Sequence, residues 1–178
     1  MENLPPSWQL ASKSEGRTLD RHFSRDLGFG EHRDFAGSRT IIEPEVSKTY
    51  ALQLRGEPES ATYEALSVRL CNDYIRLFRA VVPRDDFVYA YDPYHAAYKF
   101  WPHQEFEFGR EGDWPIPPYP DGDYCAFFTS NLKSCLFGFP WRKPTVCVIG
   151  ARFLDAMKPF RPTAFEQVVR VGGKPLHR

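Results

Sequence analysis

From about Ser60 to Ala80, apolar residues recur at helical spacing. Tyr63, Leu66, Leu70, Tyr74, Leu77 and Val81 make one stripe, widened by Ser67, Cys71 and Phe78, while Arg69, Asn72, Asp73, Arg76 and Arg79 lie opposite. A period near 3.6, a polar back and a stop at Pro83 predict an amphipathic helix laid across a sheet. Ser60 is the expected N-cap, with Glu64 one position past the capping-box place. Arg76 and Arg79 fall near the C-terminal end, where the helix dipole favours cations.

Elsewhere the period is two. Tyr50, Leu52 and Leu54 fall on one side at period two, which predicts a strand. Phe87–Tyr91 and Ala96–Trp101 flank Asp92-Pro-Tyr-His95, where Pro93 presets the turn, so a hairpin is expected. A proline- and glycine-rich connection occupies 102–122. Strands over Tyr124–Thr129, Ser134–Phe139 and Thr145–Ile149 follow, and their short connections imply an antiparallel meander. Ala151–Met157 reads as one or two helical turns. A short helix or strand is expected near 165–171, after which Gly172-Gly-Lys-Pro175 releases the chain. The fold class is α+β: an antiparallel sheet of about five or six strands with one long helix on a face. Residues 1–45 are expected to be an N-terminal arm packed through Trp8, Phe23, Phe29 and Phe35, and 46–178 a single domain.

Composition narrows the function classes. The chain of 178 residues has 23 basic and 23 acidic residues and a pI near 7.0, so no bulk charge draws it to nucleic acid or anionic membrane. No apolar window is long enough to span a bilayer, and the N-terminus has no secretory pattern, so a cytoplasmic setting is expected. Cys71, Cys125, Cys135 and Cys147 lack metal-ligand spacing and read as buried free thiols, so no metal and no cofactor is expected. Phosphate-loop, dinucleotide, zincin and nucleophile-elbow motifs are missing.

Two constellations carry chemistry. His95, His103, Asp92, Asp121 and Asp123 sit in turns or at strand ends. If those turns share one sheet edge, a His–Asp pair can act as general base, as in a small hydrolase or group-transfer enzyme. The same aspartates also read as ordinary turn formers. Trp101, Trp114, Tyr119, Trp141 and Arg142 are residue types that dominate binding hot spots, and the neighbouring prolines stiffen them. The alternative is that the indoles plug the sheet ends. Cys135 is a nucleophile only if exposed beside a base, and Leu136 and Phe137 argue for burial.

The run Trp114-Pro-x-Pro-x-x-Pro-Asp-Gly-Asp-Tyr124-x-x-Phe127, then Phe137-Gly138-x-Pro140-Trp141, then Val146-Cys-Val-x-Gly150, resembles an uncharacterised bacterial domain-of-unknown-function family. Tyr91-Asp-Pro, Tyr98, Phe100 and Pro102-His103 share the resemblance, which covers about 60–158. Phe139 stands where that pattern has histidine. The resemblance implies a small bacterial protein and no particular activity. The expectation is a non-catalytic module that binds a protein partner, as an immunity (toxin-neutralising) or regulatory protein does. The small enzyme is the alternative.

Overall fold

The computed structural model describes residues 4–33, 37–53, 61–104, 114–120, 123–140 and 144–176, with side chains in the long helix from residue 64 onward. Eleven strands and three α-helices are present among these residues. In chain order they are β1 (Trp8–Leu10), α1 (Lys13–Arg21), β2 (His32–Arg33), β3 (Arg39–Thr40), β4 (Ser47–Leu52), α2 (Ala61–Val81), β5 (Val88–Tyr91), β6 (Tyr98–Phe100), β7 (Cys125–Thr129), β8 (Cys135–Phe139), β9 (Thr145–Ile149), α3 (Ala151–Ala156), β10 (Phe165–Val171) and β11 (Lys174–Pro175). A π-helical turn, His22–Asp26, continues α1.

One nine-stranded sheet dominates, in the order β1-β6-β5-β7-β8-β9-β4-β10-β11, and every neighbouring pair is antiparallel. The expected five or six strands were too few. Of the additional three, β10 occupies the span 165–171 where a short helix or strand is expected, and β1 and β11 come from the chain ends. β1 and β11 have three and two residues, too short for a period to register. Gly172 and Gly173 do not release the chain. Both have positive φ, 54° and 74°, and they join β10 to β11 as a two-residue hairpin with Val171 opposite Lys174, a turn that requires residues free to adopt that region.

Both faces of the sheet are covered. Phe127, Leu136, Val146 and Val148 point to the face closed by α2 and α3, in one core with Leu70, Tyr74, Phe78 and Phe153. Ala126, Phe128, Phe137, Cys147 and Ile149 point to the other face, under Leu19 of α1 and Phe23 of the π turn. Two covered faces explain why β7 and β9 are buried at every position and apolar without alternation. The long helix forms where its periodicity predicts, with Leu70, Tyr74, Leu77 and Phe78 almost wholly enclosed. Its expected cap, Ser60, lies outside the described residues. Among the described residues no helix is long and apolar enough to cross a membrane.

At its N-terminus α1 carries a full capping box. Ser12 Oγ accepts from Glu15 N at 3.3 Å, and Ser12 N donates to Glu15 Oε2 at 2.8 Å. The other Glu15 oxygen accepts from Tyr89 OH at 3.1 Å and Lys99 Nζ at 3.2 Å, which ties the helix to the sheet. These bonds, those to Ser12 foremost, lower the Glu15 pKa to about 2.

Candidate functional site

The turn between β5 and β6 forms as its sequence predicts. Asp92 O accepts from His95 N at 3.3 Å, and Asp92 Oδ1 accepts from Tyr94 N at 2.8 Å. The remaining oxygen, Oδ2, lies 3.2 Å from His95 Nδ1. Asp92 is buried, whereas 59% of the His95 side chain is exposed. Beside this pair, Tyr91 OH donates to Asp20 Oδ1 at 2.8 Å. Burial first, and then that bond, push the Tyr91 phenol far above its usual range. His95, Asp20, Tyr91, Lys13 and Arg17 line a shallow groove of about 440 Å³.

Among the described residues the wider His–Asp cluster does not assemble. His103 follows the far end of β6, whose Phe100 pairs with Val88 at the start of β5, so it sits at the opposite end of that hairpin from Asp92 and His95. Its Nε2 bonds Val82 O at 2.8 Å and must carry the proton, because a carbonyl only accepts. That bond anchors the chain just beyond α2. Asp123 is exposed ahead of β7. Its neighbour Tyr124 is 6.3 Å from the Tyr94 ring, yet among the described residues no bond joins Asp123 to either histidine. Asp121 lies outside the described residues. Among these residues no group of three or more His, Cys, Asp or Glu gathers to hold a metal.

The aromatic–proline rim is corrected too. Trp114 is 4% exposed and sits among Trp8, Phe100 and Phe127 at ring separations of 5.4, 5.4 and 5.9 Å. Tyr119 is also buried. A side chain so enclosed offers no contact area to a partner, so both are core. Trp101 is half-buried, 5.3 Å from the Phe87 ring. Trp141 and Arg142 lie outside the described residues. Pro120 and Cys125 pack where a Cβ on Gly138 would be, and Tyr124 stacks on Phe137 with the rings 11° from parallel. The two halves of the family-like pattern are therefore packed against each other. Cys135 is buried and its thiol is held well above the usual range by that burial, which removes it as a nucleophile.

A wider opening lies elsewhere among the described residues, on the face shared with α1. A cleft of about 1010 Å³ separates the β2–β3 hairpin from the outer surface of β9, β4, β10 and β11. Ala51, Phe139, Thr145 and Val169 contribute apolar floor, and Ile42 the facing wall. The register of β10 on β4 slips twice, and Gln167, Val169 and Arg170 all line the cleft; such irregularities re-aim side chains. Arg33, Arg170 and Lys174 supply positive charge. Arg170 Nε and Nη2 each reach Glu43 Oε1 at 2.7 Å. Below this pair, burial and then the Glu43 carboxylate push the Cys147 thiol up to about 12.

Exposed apolar side chains concentrate at this end. Of six large ones among the described residues, Ile42, Val46, Val171 and Leu176 belong to the cleft wall or to the β10–β11 hairpin and the strap beside it. That strap is fixed by Gly172 N donating to Ser47 O at 3.0 Å. Sequence reasoning missed this surface. Gly172-Gly173 between Val168–Val171 and Lys174–Leu176 was the available signal, since paired glycines between apolar runs mark a hairpin.

A model of the family described as "Protein of unknown function (DUF2716)" matches residues 11–154. The match begins at 11 and not near 60, so α1 lies within the matched region along with the pattern residues. A Bacillus subtilis (strain 168) protein, "Uncharacterized protein YxiI", is 35% identical over 91 residues, 51% of this chain and 56% of that protein. The chain thus spans little more than half the length of this curated relative. No solved structure matches.

Proposed function

The chain belongs to the DUF2716 family of proteins of unknown function, and on that premise we propose that it is a non-catalytic binding module whose partner is another protein. The observation that carries this reading is a cleft of about 1010 Å³ with the exposed Ile42 on its wall and Ala51, Phe139 and Val169 on its floor. A contiguous apolar surface edged with charge is the usual mark of an interaction site. Arg33 and Lys174 at the edge favour a partner segment that is apolar with acidic flanks. Immunity and regulatory roles both fall within this reading, and the partner's identity separates them.

The test is co-purification from a Bacillus host, followed by calorimetry with the partner so identified. Ile42→Asp and Lys174→Glu should each weaken binding at least about tenfold, or ~1.4 kcal/mol. Tyr94→Ala, at an exposed site outside the cleft, should leave it unchanged. Equal affinities for all four proteins would end the reading.

One observation favours a second reading as a small enzyme. A buried Asp92 carboxylate 3.2 Å from His95 Nδ1 is the arrangement that orients an imidazole for proton transfer. Turnover of chromogenic ester or phosphate-ester substrates that His95→Gln abolishes would favour it. Absence of turnover across both classes would dispose of it.

A further inference from the structure

Along α1 and the π-helical turn four cations form one row, with the exposed Asp20 and Asp26 at its margin. Lys13, Arg17 and Arg21 recur every four residues along α1, about 6 Å apart, and Arg25 follows four residues on, in the π-helical turn. All four are exposed, as are Ser14, Thr18 and Ser24 between them. The opposite side carries the buried Leu19 and Phe23. Glu15 is drawn inward to Tyr89 and Lys99, and Asp20 accepts from Tyr91. Among the described residues none of the four cations takes part in an ion pair.

Such a row costs the helix stability. Like charges four residues apart repel, and Lys13 in the first turn opposes the helix dipole. Nothing in the packing of α1 needs cations there, since Leu19 and Phe23 supply its buried contacts. We propose that this basic face of α1 and its π-helical continuation is a docking surface for an acidic protein segment, carboxylates pairing with the arginines and hydroxyls bonding their free oxygens. Guanidinium groups bind carboxylates through paired N–H bonds.

The other polyanions fit less well. Nucleic-acid surfaces for single strands interleave cations with aromatic stacking platforms, and this face has none. Membrane-surface helices need an apolar row facing the lipid, and the apolar residues of α1 face the sheet. With equal numbers of basic and acidic residues, the chain has no bulk field to hold a long polyanion. Short-range pairing with carboxylates remains. The surface is separate from the cleft, so either can fail without the other.

The test uses the full chain with poly-L-glutamate, a single-stranded thymidine oligonucleotide and phosphatidylserine vesicles as probes. Wild type should bind poly-L-glutamate more tightly than the other two, with affinity falling as salt rises. Arg17→Glu combined with Arg21→Glu should weaken that binding at least tenfold while the thermal melt stays in place. The Arg17→Lys, Arg21→Lys pair and the cleft variant Ile42→Asp should retain it. Should the reversal fail to fold, Arg17→Gln with Arg21→Gln makes the same comparison. Undiminished binding by the reversed or neutral variant, no binding by wild type, or tighter binding to the oligonucleotide or the vesicles would overturn the proposal.

Discussion

Residues 114–124 and the cleft beside β10 and β11 are opposites in what they display and what they hide. The first region has the denser pattern in sequence, with Trp114, four prolines and Tyr124 in close order, yet Trp114, Ile116, Tyr119 and Tyr124 are enclosed. The second region and the hairpin beside it are written in scattered residues, Ile42, Val46, Val171 and Leu176, with only Gly172-Gly173 as a local signal, yet these are the ones in solvent. Rigid, aromatic-rich segments are expensive to leave in water and are readily recruited as core. A surface assembled from separate stretches of chain leaves little local signature.

The comparison can be broken most severely at Trp114. Trp114→Ala removes an indole packed on Trp8, Phe100 and Phe127 and should cost about 3–5 kcal/mol, read from urea denaturation. A loss under about 1 kcal/mol would return Trp114 to the surface. Gly138→Ala is next: its Cβ meets Cys125 Sγ and Pro120, so about 1–3 kcal/mol should be lost to overpacking, seen as a lower Tm. In the cleft the order reverses. Ile42→Asp, at 48% exposure, should shift stability by no more than about 0.5 kcal/mol while reducing partner binding in the calorimetric assay. The smallest effect concerns pH. Because the Glu15 pKa is lowered from 4.5 to about 2, its contribution to stability is present above pH 4.5 and lost as pH falls toward 2. The stability gap between wild type and Glu15→Gln should therefore close across that interval, and a gap unchanged at pH 2 would exclude the capping box as its source.

Much of the architecture was legible because periodicity is a strong signal over long elements. The stripe from Leu66 to Val81 and the alternation around Asp92-Pro93 each located their element. Short edge strands carried no such signal, and Trp8–Leu10 joined the sheet only through tertiary pairing with Tyr98–Phe100. For the site, residue type was a poor guide. His103 has the right chemistry for catalysis, but its Nε2 is committed to Val82 O. Asp92 and His95 meet because a four-residue turn brings them together, which sequence could foresee. Whether distant turns share an edge depends on strand order, and strand order here is not sequential.

That order has a bearing on synthesis. β4 is inserted between β9 and β10, with Ser47 opposite Ile149 and Lys48 opposite Val171, so it emerges from the ribosome long before either flanking strand exists. Until residue 149 has been made, its backbone N–H and C=O groups have neither flanking strand to pair with, and one edge stays open until residue 171; such long-range closure is slow. A nascent chain that stalls before Thr145 would carry this bare strand into the cell, where it would be a template for aggregation or a handle for chaperones.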